Sequence, residues 1–242
     1  MKILIVIPAY NEEKIIQTNV LTLYDFMKRH FTQEGWMIVV SDNNSSDHTK
    51  ELITQLSQTR PNIQYFFVPK KGKGAAIKAA WLAYDADIYC FMDADLSSDL
   101  KSLPSLLQPI AQGRSDITCG SRFQHGAKVE RSMFRKIVSR IYRLVLKVLL
   151  GLKTKDAPCG FKAISREIRN SLLPKVINDG WFFDSELIIL SEKLGYRVEE
   201  IPVTWREPVE TGRESQVKVF SLGMDYLYKV LEIKKRIKTL KK

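Results

Sequence analysis

Two aspartates one residue apart, Asp93 and Asp95, close the apolar run Ile88-Tyr89-Cys90-Phe91-Met92. Carboxylates at positions i and i+2 of an extended segment point the same way, so both can reach one divalent cation, and hard cations prefer oxygen ligands. An ion held by few protein carboxylates keeps open positions, which is how magnesium-type sites take up nucleotide phosphates. The same spacing also occurs in loops and helix caps, so the pair alone leaves both readings open.

The elements around the pair favour chemistry. Strand-like apolar runs at residues 2–7, 37–41, 63–68, 88–92 and 116–120 alternate with helical patterns at 12–29, 47–59, 73–84 and 100–112. Continuous apolar strands separated by helices predict an α/β fold with a mostly parallel central sheet covered on both faces. Ligands bind such sheets outside the carboxyl ends of the strands. The conspicuous polar segments fall there, at residues 8–12, 42–47, 70–74, 93–95 and 120–122. Each has a plain structural alternative: Asp47 as a helix cap, Gly72 and Gly74 in a tight turn, Asn11 and Glu12 at a helix start. None of these alternatives explains why five segments cluster at one edge.

Composition narrows the setting. A chain of 242 residues, 45% hydrophobic, can bury a full core as one domain. A net charge of +11 suits an acidic partner such as a nucleic acid, an anionic membrane or a phosphorylated substrate. Cys90, Cys119 and Cys159 form no disulfide or zinc pattern, which fits a reducing, cytoplasmic setting. The apolar run at residues 3–7 meets Pro8 at once and reads as a core strand rather than a signal peptide. No run approaches the roughly 18–20 apolar residues of a membrane span.

The second half is more basic. Residues 131–155 hold eight basic residues and no acid, and residues 133–150 read as an amphipathic helix. Lys136, Arg140, Arg143 and Lys147 recur at helical spacing, with Phe134, Ile137, Ile141, Val145 and Leu149 marking an apolar side. Such a helix either lies in a membrane interface or packs on the domain. Residues 229–242 add seven basic residues against Glu232 alone. That tail is either solvated or drawn to anionic lipid, at about 1 kcal/mol per basic residue near the surface. A strand is expected at 197–204 and a helix at 184–194.

Taken in order, Pro8-Ala9-Tyr10-Asn11-Glu12, the segment 41–47, Gly72-Lys73-Gly74-Ala75-Ala76, Asp93-Ala94-Asp95 and Gly120-Ser121-Arg122 resemble the family 2 glycosyltransferases. The later segments, Arg131-Ser132 with Arg135, residues 156–162 and residues 182–187, look like the branch containing polyprenyl-phosphate and dolichyl-phosphate glucosyl- and mannosyltransferases. The resemblance implies a GT-A fold, a nucleotide-sugar donor and a divalent metal, Mg2+ or Mn2+. Pro8, Ala9, Tyr10, Glu12 and Asp42 would hold the base and ribose of the donor. Asp93 and Asp95 would carry the metal, Ala94 would add backbone contacts, and Lys73 would face phosphate or sugar. Arg122 and Arg135 would hold donor or acceptor phosphates, with Arg131 beside Arg135 on the acceptor side. Asp184 and Glu186 are candidates for sugar hydroxyls or a base, Asp184 the better one, against a bland pairing at a helix start.

The implied reaction is inverting transfer of a hexose to polyprenyl phosphate at the cytoplasmic membrane face. A lipid phosphate is already ionised near neutral pH, so cations that position two repelling anions matter more than a base. On this reading one domain divides into a donor half (1–125), an acceptor half (126–228) and a basic tail (229–242). Its partners are nucleotide sugar, polyprenyl phosphate and an anionic membrane, with room for a membrane-protein partner or a homo-oligomer.

Some positions depart from the pattern. Asn43 and Asn44 replace carboxylate and glycine, Ser97 stands where mannosyl-type members often have Gln, and Ser215-Gln216 replaces Ser-Lys, leaving Arg213 or Lys218 as substitutes. The Gly-Lys-Gly-Ala and Cys-Gly-Phe-Lys segments lean toward a UDP-sugar over GDP-mannose. The rival readings are the same fold acting on a sugar or protein hydroxyl and, more distantly, a basic nucleic-acid-binding protein. The latter lacks aromatic stacking motifs, and a Rossmann dehydrogenase lacks its glycine fingerprint after the first strand.

Overall fold

A computed structural model describes residues 1–206 and 219–240. The contrast at Ser215-Gln216, with Arg213 and Lys218, lies outside the described residues. The strands are β1 (Lys2–Ala9), β2 (Gly35–Asp42), β3 (Ile63–Phe67), β4 (Ile88–Met92), β5 (Ile117–Ser121), β6 (Lys128–Glu130), β7 (Phe161–Ser165), β8 (Val198–Pro202) and β9 (Thr204–Arg206). The helices are α1 (Ile16–His30), α2 (Thr49–Thr59), α3 (Lys73–Ala83), α4 (Leu103–Ala111), α5 (Met133–Leu150), α6 (Arg166–Ser171), α7 (Phe183–Lys193) and α8 (Val219–Leu240).

Seven strands form one sheet in the order β3-β2-β1-β4-β7-β5-β8, and β6 and β9 pair separately. Every pairing in the large sheet is parallel except those of β7, which runs antiparallel between β4 and β5. The chain winds from β1 outward to β3 and then returns to β4 on the other side of β1. That reversal is a topological switch point, where the connections diverge and leave a crevice.

The apolar strands are continuous because both faces are covered. Ile3, Ile5 and Ile7 of β1 join one cluster with α1, α2 and α4, while Leu4 and Val6 join another with α3, α6 and α7. Each fully buried aliphatic side chain contributes about 1.5–3 kcal/mol through removal from water. Sequence periodicity places α1 and α2 within a few residues of their observed starts. Both begin late because local side chains take the first amides. Glu12 N donates to Thr49 Oγ1 and Glu13 N to Asp47 Oδ2, which joins the segment after β1 to the start of α2. Asp47 Oδ1 also accepts from Thr49 N, the capping role its position suggests.

The basic segments take two forms. Only Leu146 of α5 is buried, and the exposed large apolar residues on this helix are Met133, Phe134, Ile137, Ile141, Leu144 and Val148, at 50% to 71% exposure. At about 100° per residue these six share one stripe, opposite Leu146, with Lys136, Arg140, Arg143 and Lys147 along one edge. Val145 and Leu149, expected on the apolar side, are half-buried instead. Residues 229–240 belong to a docked helix: Val230, Ile233 and Ile237 of α8 are buried, and Arg236 pairs with Glu186 at 2.7 Å.

Candidate active site

Asp93 and Asp95 lie just past β4 in a turn, not in extended backbone. Leu96 N donates to Asp93 O at 3.1 Å, and Leu96 has a φ of 50°. The turn and its neighbours therefore set their directions, in place of the strand alternation that the i, i+2 spacing predicts. Asn19 of α1 donates to Ala94 O at 2.8 Å, and Asp95 Oδ1 accepts from Ser97 N and Ser97 Oγ at 3.0 and 2.6 Å. Asp93 Oδ1 meets Lys73 Nζ at 2.7 Å. Because β7 is antiparallel and pairs Phe161 with Met92, Gly160 enters opposite Asp93. A Cβ at Gly160 would run into the Asp93 carboxylate, so the glycine leaves the space that this carboxylate fills.

A divalent ion fits this donor set. The carboxylate oxygens of Asp93 and Asp95 are the hard donors that such cations prefer. An ion here would be shared with substrate oxygens, the usual habit of Mg2+ and Mn2+ at phosphates.

Behind Asp93 lies a buried chain of charges. Lys73 Nζ bonds Asp184 Oδ2 at 2.9 Å, and Lys162 Nζ lies 3.6 Å from Asp184 Oδ1 while donating to Cys159 O. Burial alone would pull the Lys73 ammonium down, but the carboxylates of Asp184 and Asp93 outweigh it and hold it above the usual lysine value. Lys73 also lies 5.3 Å from the ring centre of Phe91 and 5.4 Å from that of Trp181. Lys73 thus stands between two aspartates. Asp184 Oδ1 is buried without a hydrogen-bond partner.

The glycines beside Lys73 make this approach possible. Gly72 has a φ of 130°, which favours glycine, and a Cβ on Gly74 would lie 2.6 Å from Phe183 Cβ. Ala75 N donates to Asp179 O at 2.9 Å, which seats the start of α3 on the loop before α7. Glu186 faces elsewhere, since two residues on a helix are about 200° apart. It accepts from Ile177 N, Asn178 N and Arg236 Nη1 at 3.2, 2.7 and 2.7 Å, and so fastens that loop to α8. Tyr142 of α5 reaches the same turn of α7, with its hydroxyl 2.9 Å from Ser185 Oγ.

On the other side of the switch point, Ala9 is buried at the end of β1 and pairs in register with Asp42, as Pro8 does with Ser41. Tyr10 is exposed at the rim and Glu12 is buried. Asp42 Oδ1 accepts from Ser45 N and Oγ, and Oδ2 accepts from Tyr65 Oη at 2.7 Å. Burial first, and the bond to Asp42 second, push the Tyr65 phenol well up. Asn43, a departure from the family pattern, has work of its own: Nδ2 donates to Lys70 O at 2.6 Å and Oδ1 accepts from Gly72 N at 2.5 Å. It clips the loop after β2 to the glycine segment.

Arg122, at the end of β5, is bound twice over by Asp156. Its Nε and Nη2 donate to the two carboxylate oxygens at 2.8 and 2.7 Å, and its backbone N adds a third bond at 2.8 Å. The side chains are 10% and 0% exposed. Burial works to raise the Asp156 carboxyl, but the guanidinium outweighs it and holds it below the usual range. Arg131 follows β6 and Arg135 lies in the first turn of α5. Cζ of Arg131 is 5.4 Å from the ring centre of Trp205.

Sequence reasoning missed Asp156, Gly160, Lys162 and Trp205 as parts of this assembly. The Asp-Ala-Pro-Cys-Gly-Phe-Lys segment carried the signal for the first three.

The mostly parallel sheet, interrupted by the antiparallel β7 and with carboxylates, lysines and arginines gathered at its switch point, has the GT-A fold. The sequence profile of glycosyl transferase family 2 matches residues 4–173, and the chain belongs to that family.

It is 27% identical over 228 residues to the glycosyltransferase AglD of Haloferax volcanii, covering 94% of this chain and 36% of that protein. To the dolichyl-phosphate beta-glucosyltransferase ALG5A of Trichomonas vaginalis it is 32% identical over 215 residues, covering 84% and 65%. The chain thus spans about a third to two thirds of the length of these relatives. Among solved structures it shares its fold with glucosyl-3-phosphoglycerate synthase from Mycobacterium tuberculosis in complex with Mn2+, UDP and glucosyl-3-phosphoglycerate. The TM-score is 0.70 and the identity 21%, over 96% of this chain and 79% of that one.

Proposed function

We propose that this chain transfers a hexose, glucose being favoured, from a UDP-sugar to polyprenyl phosphate, with inversion at the anomeric carbon. The observation that carries the reading is the Asp93–Lys73–Asp184 chain at the switch point, where a nucleotide diphosphate and its sugar would lie side by side. Similarity to dolichyl-phosphate beta-glucosyltransferases over 84% of the chain supports a glucosyl group and a polyprenyl-phosphate type of acceptor.

In this reading the ends of β1 and β2, with Pro8, Ala9, Tyr10, Glu12 and Asp42, receive the nucleoside. Asp93 and Asp95 hold Mg2+ or Mn2+, which supplies charge neutralisation to the departing diphosphate. Lys73 and Asp184 stand on the sugar side, Asp184 with Oδ2 on Lys73 Nζ and Oδ1 3.6 Å from Lys162 Nζ. Arg131 and Arg135 hold the acceptor phosphate, and Arg122 acts from its fixed place beside Asp156. The residues position two anions against each other, and the incoming phosphate oxygen attacks in line without needing a strong base.

The chain is read as one domain, with residues 1–125 serving the donor and 126–228 the acceptor. Among the described residues no helix is long and apolar enough to cross a membrane. The outward stripe of α5 with its basic edge suits the surface of an anionic bilayer, the cytoplasmic leaflet in this reading, where the lipid acceptor resides. The test is transfer from UDP-glucose to polyprenyl phosphate with and without Mg2+. A hexose appearing only on a sugar or protein hydroxyl would replace this acceptor assignment.

A further inference from the structure

Trp205 lies among the site residues without a role in binding donor, metal or acceptor, yet it touches two of the arginines. Arg122 Cζ and Arg131 Cζ lie over its indole at 5.6 and 5.4 Å from the ring centre. The first arginine is immobilised by Asp156, so the ring rests against a fixed cation. The backbone at Trp205 is fixed as well. Trp205 bridges to Ser98, Arg206 N donates to Ser97 O at 3.0 Å, and Asp99 N donates to Thr204 O at 2.9 Å. These bonds clamp β9 to the loop that follows Asp95. On its other side Trp205 pairs in register with Val129, two residues before Arg131.

An arginine stacked on a rigid ring keeps its planar donors in one orientation, so less freedom is lost when an anion arrives. Attraction between guanidinium and indole adds to that restraint. We propose that Trp205 is a positioning residue for the acceptor: its indole orients the Arg131 guanidinium toward the phosphate of the lipid and ties that orientation to the loop of Asp95. The inference rests on the acceptor-phosphate reading of Arg131.

The experiment compares the full chain with Trp205→Leu, Trp205→Phe, Arg131→Ala and the double variant Trp205→Leu/Arg131→Ala. Farnesyl phosphate is the acceptor probe, its binding is followed by calorimetry, and UDP binding is measured separately with Mn2+. Trp205→Leu is expected to raise the KM for farnesyl phosphate about tenfold, the scale of a lost cation–π contact with its ordering, while kcat and UDP affinity stay within about twofold. Trp205 also packs on the core, so the Phe variant, which keeps a ring, should recover most of the loss. In the Arg131→Ala background the Leu substitution should add less than about twofold, because the two residues act as one unit.

An unchanged acceptor KM, a loss confined to kcat or UDP binding, or a full penalty in the Arg131→Ala background would overturn the proposal. A wild-type chain that neither binds nor glycosylates farnesyl phosphate would overturn the acceptor reading and this inference with it.

Discussion

Replacing Asp156 by Asn tests how the acceptor side of the site is held. Asp156 is fully buried, Arg122 is 10% exposed, and three hydrogen bonds join them. Asn keeps the shape but presents an amide donor to one of the guanidinium N–H groups, and it leaves the Arg122 charge without its counterion. Breaking a buried pair on one side is destabilising by about 3–5 kcal/mol, far above the 0–1 kcal/mol of a surface pair.

The pH dependence has a definite sign. The folded-state pKa of Asp156 is depressed by Arg122, so its contribution is present above the ordinary Asp value near 3.8 and is lost as pH falls through the folded value. Urea unfolding of wild type and Asp156→Asn should therefore differ by about 3–5 kcal/mol throughout neutral pH, with the gap narrowing only below about pH 4. A difference under about 1 kcal/mol at pH 7, or a gap that closes near pH 6, would refute the claim that this pair anchors the end of β5.

Three further outcomes follow from the site. Asp95→Asn should abolish Mn2+ binding in the presence of UDP and lower turnover about 100-fold, about 3 kcal/mol of lost charge stabilisation, with the melting temperature little changed; an active variant would remove the metal from this pair. Asp184→Asn should slow transfer to polyprenyl phosphate about tenfold, whereas a hydroxyl acceptor that needs a base would lose about 100- to 10,000-fold, so the kcat of this variant separates the two acceptors. Ile141→Ser with Leu144→Ser should weaken sedimentation with anionic vesicles about 30-fold, about 2 kcal/mol, without changing stability; equal binding would leave the α5 stripe with no role at a membrane.

Sequence patterns carried the architecture well where they repeat. The run at residues 3–7 is buried on both faces of the sheet, and five polar segments do fall at or just past the carboxyl ends of strands. What stayed hidden depends on long-range pairing. Lys73 and Asp184 are separated by 111 residues, and no local spacing relates them. β7 is five residues long and contains a lysine, so it does not read as a strand, yet its antiparallel insertion brings Gly160 to Asp93 and Lys162 to Asp184. Helical phase separates Asp184 from Glu186 once the helix is placed, but the sequence leaves open which of them faces the site. On α5 the alternation of apolar and basic residues was visible, whereas the side facing solvent was fixed only by the packing of Leu146 and Tyr142.

Lipid-linked transfer can be measured directly. Purified chain is incubated with radiolabelled UDP-glucose, polyprenyl phosphate in detergent, and Mg2+, and lipid-soluble hexose is followed with and without EDTA. A metal-dependent, β-linked glucosyl lipid phosphate that disappears in Asp93→Asn is the expected product. No lipid-linked sugar from any UDP- or GDP-sugar, or an α-linked product, would contradict the proposed function.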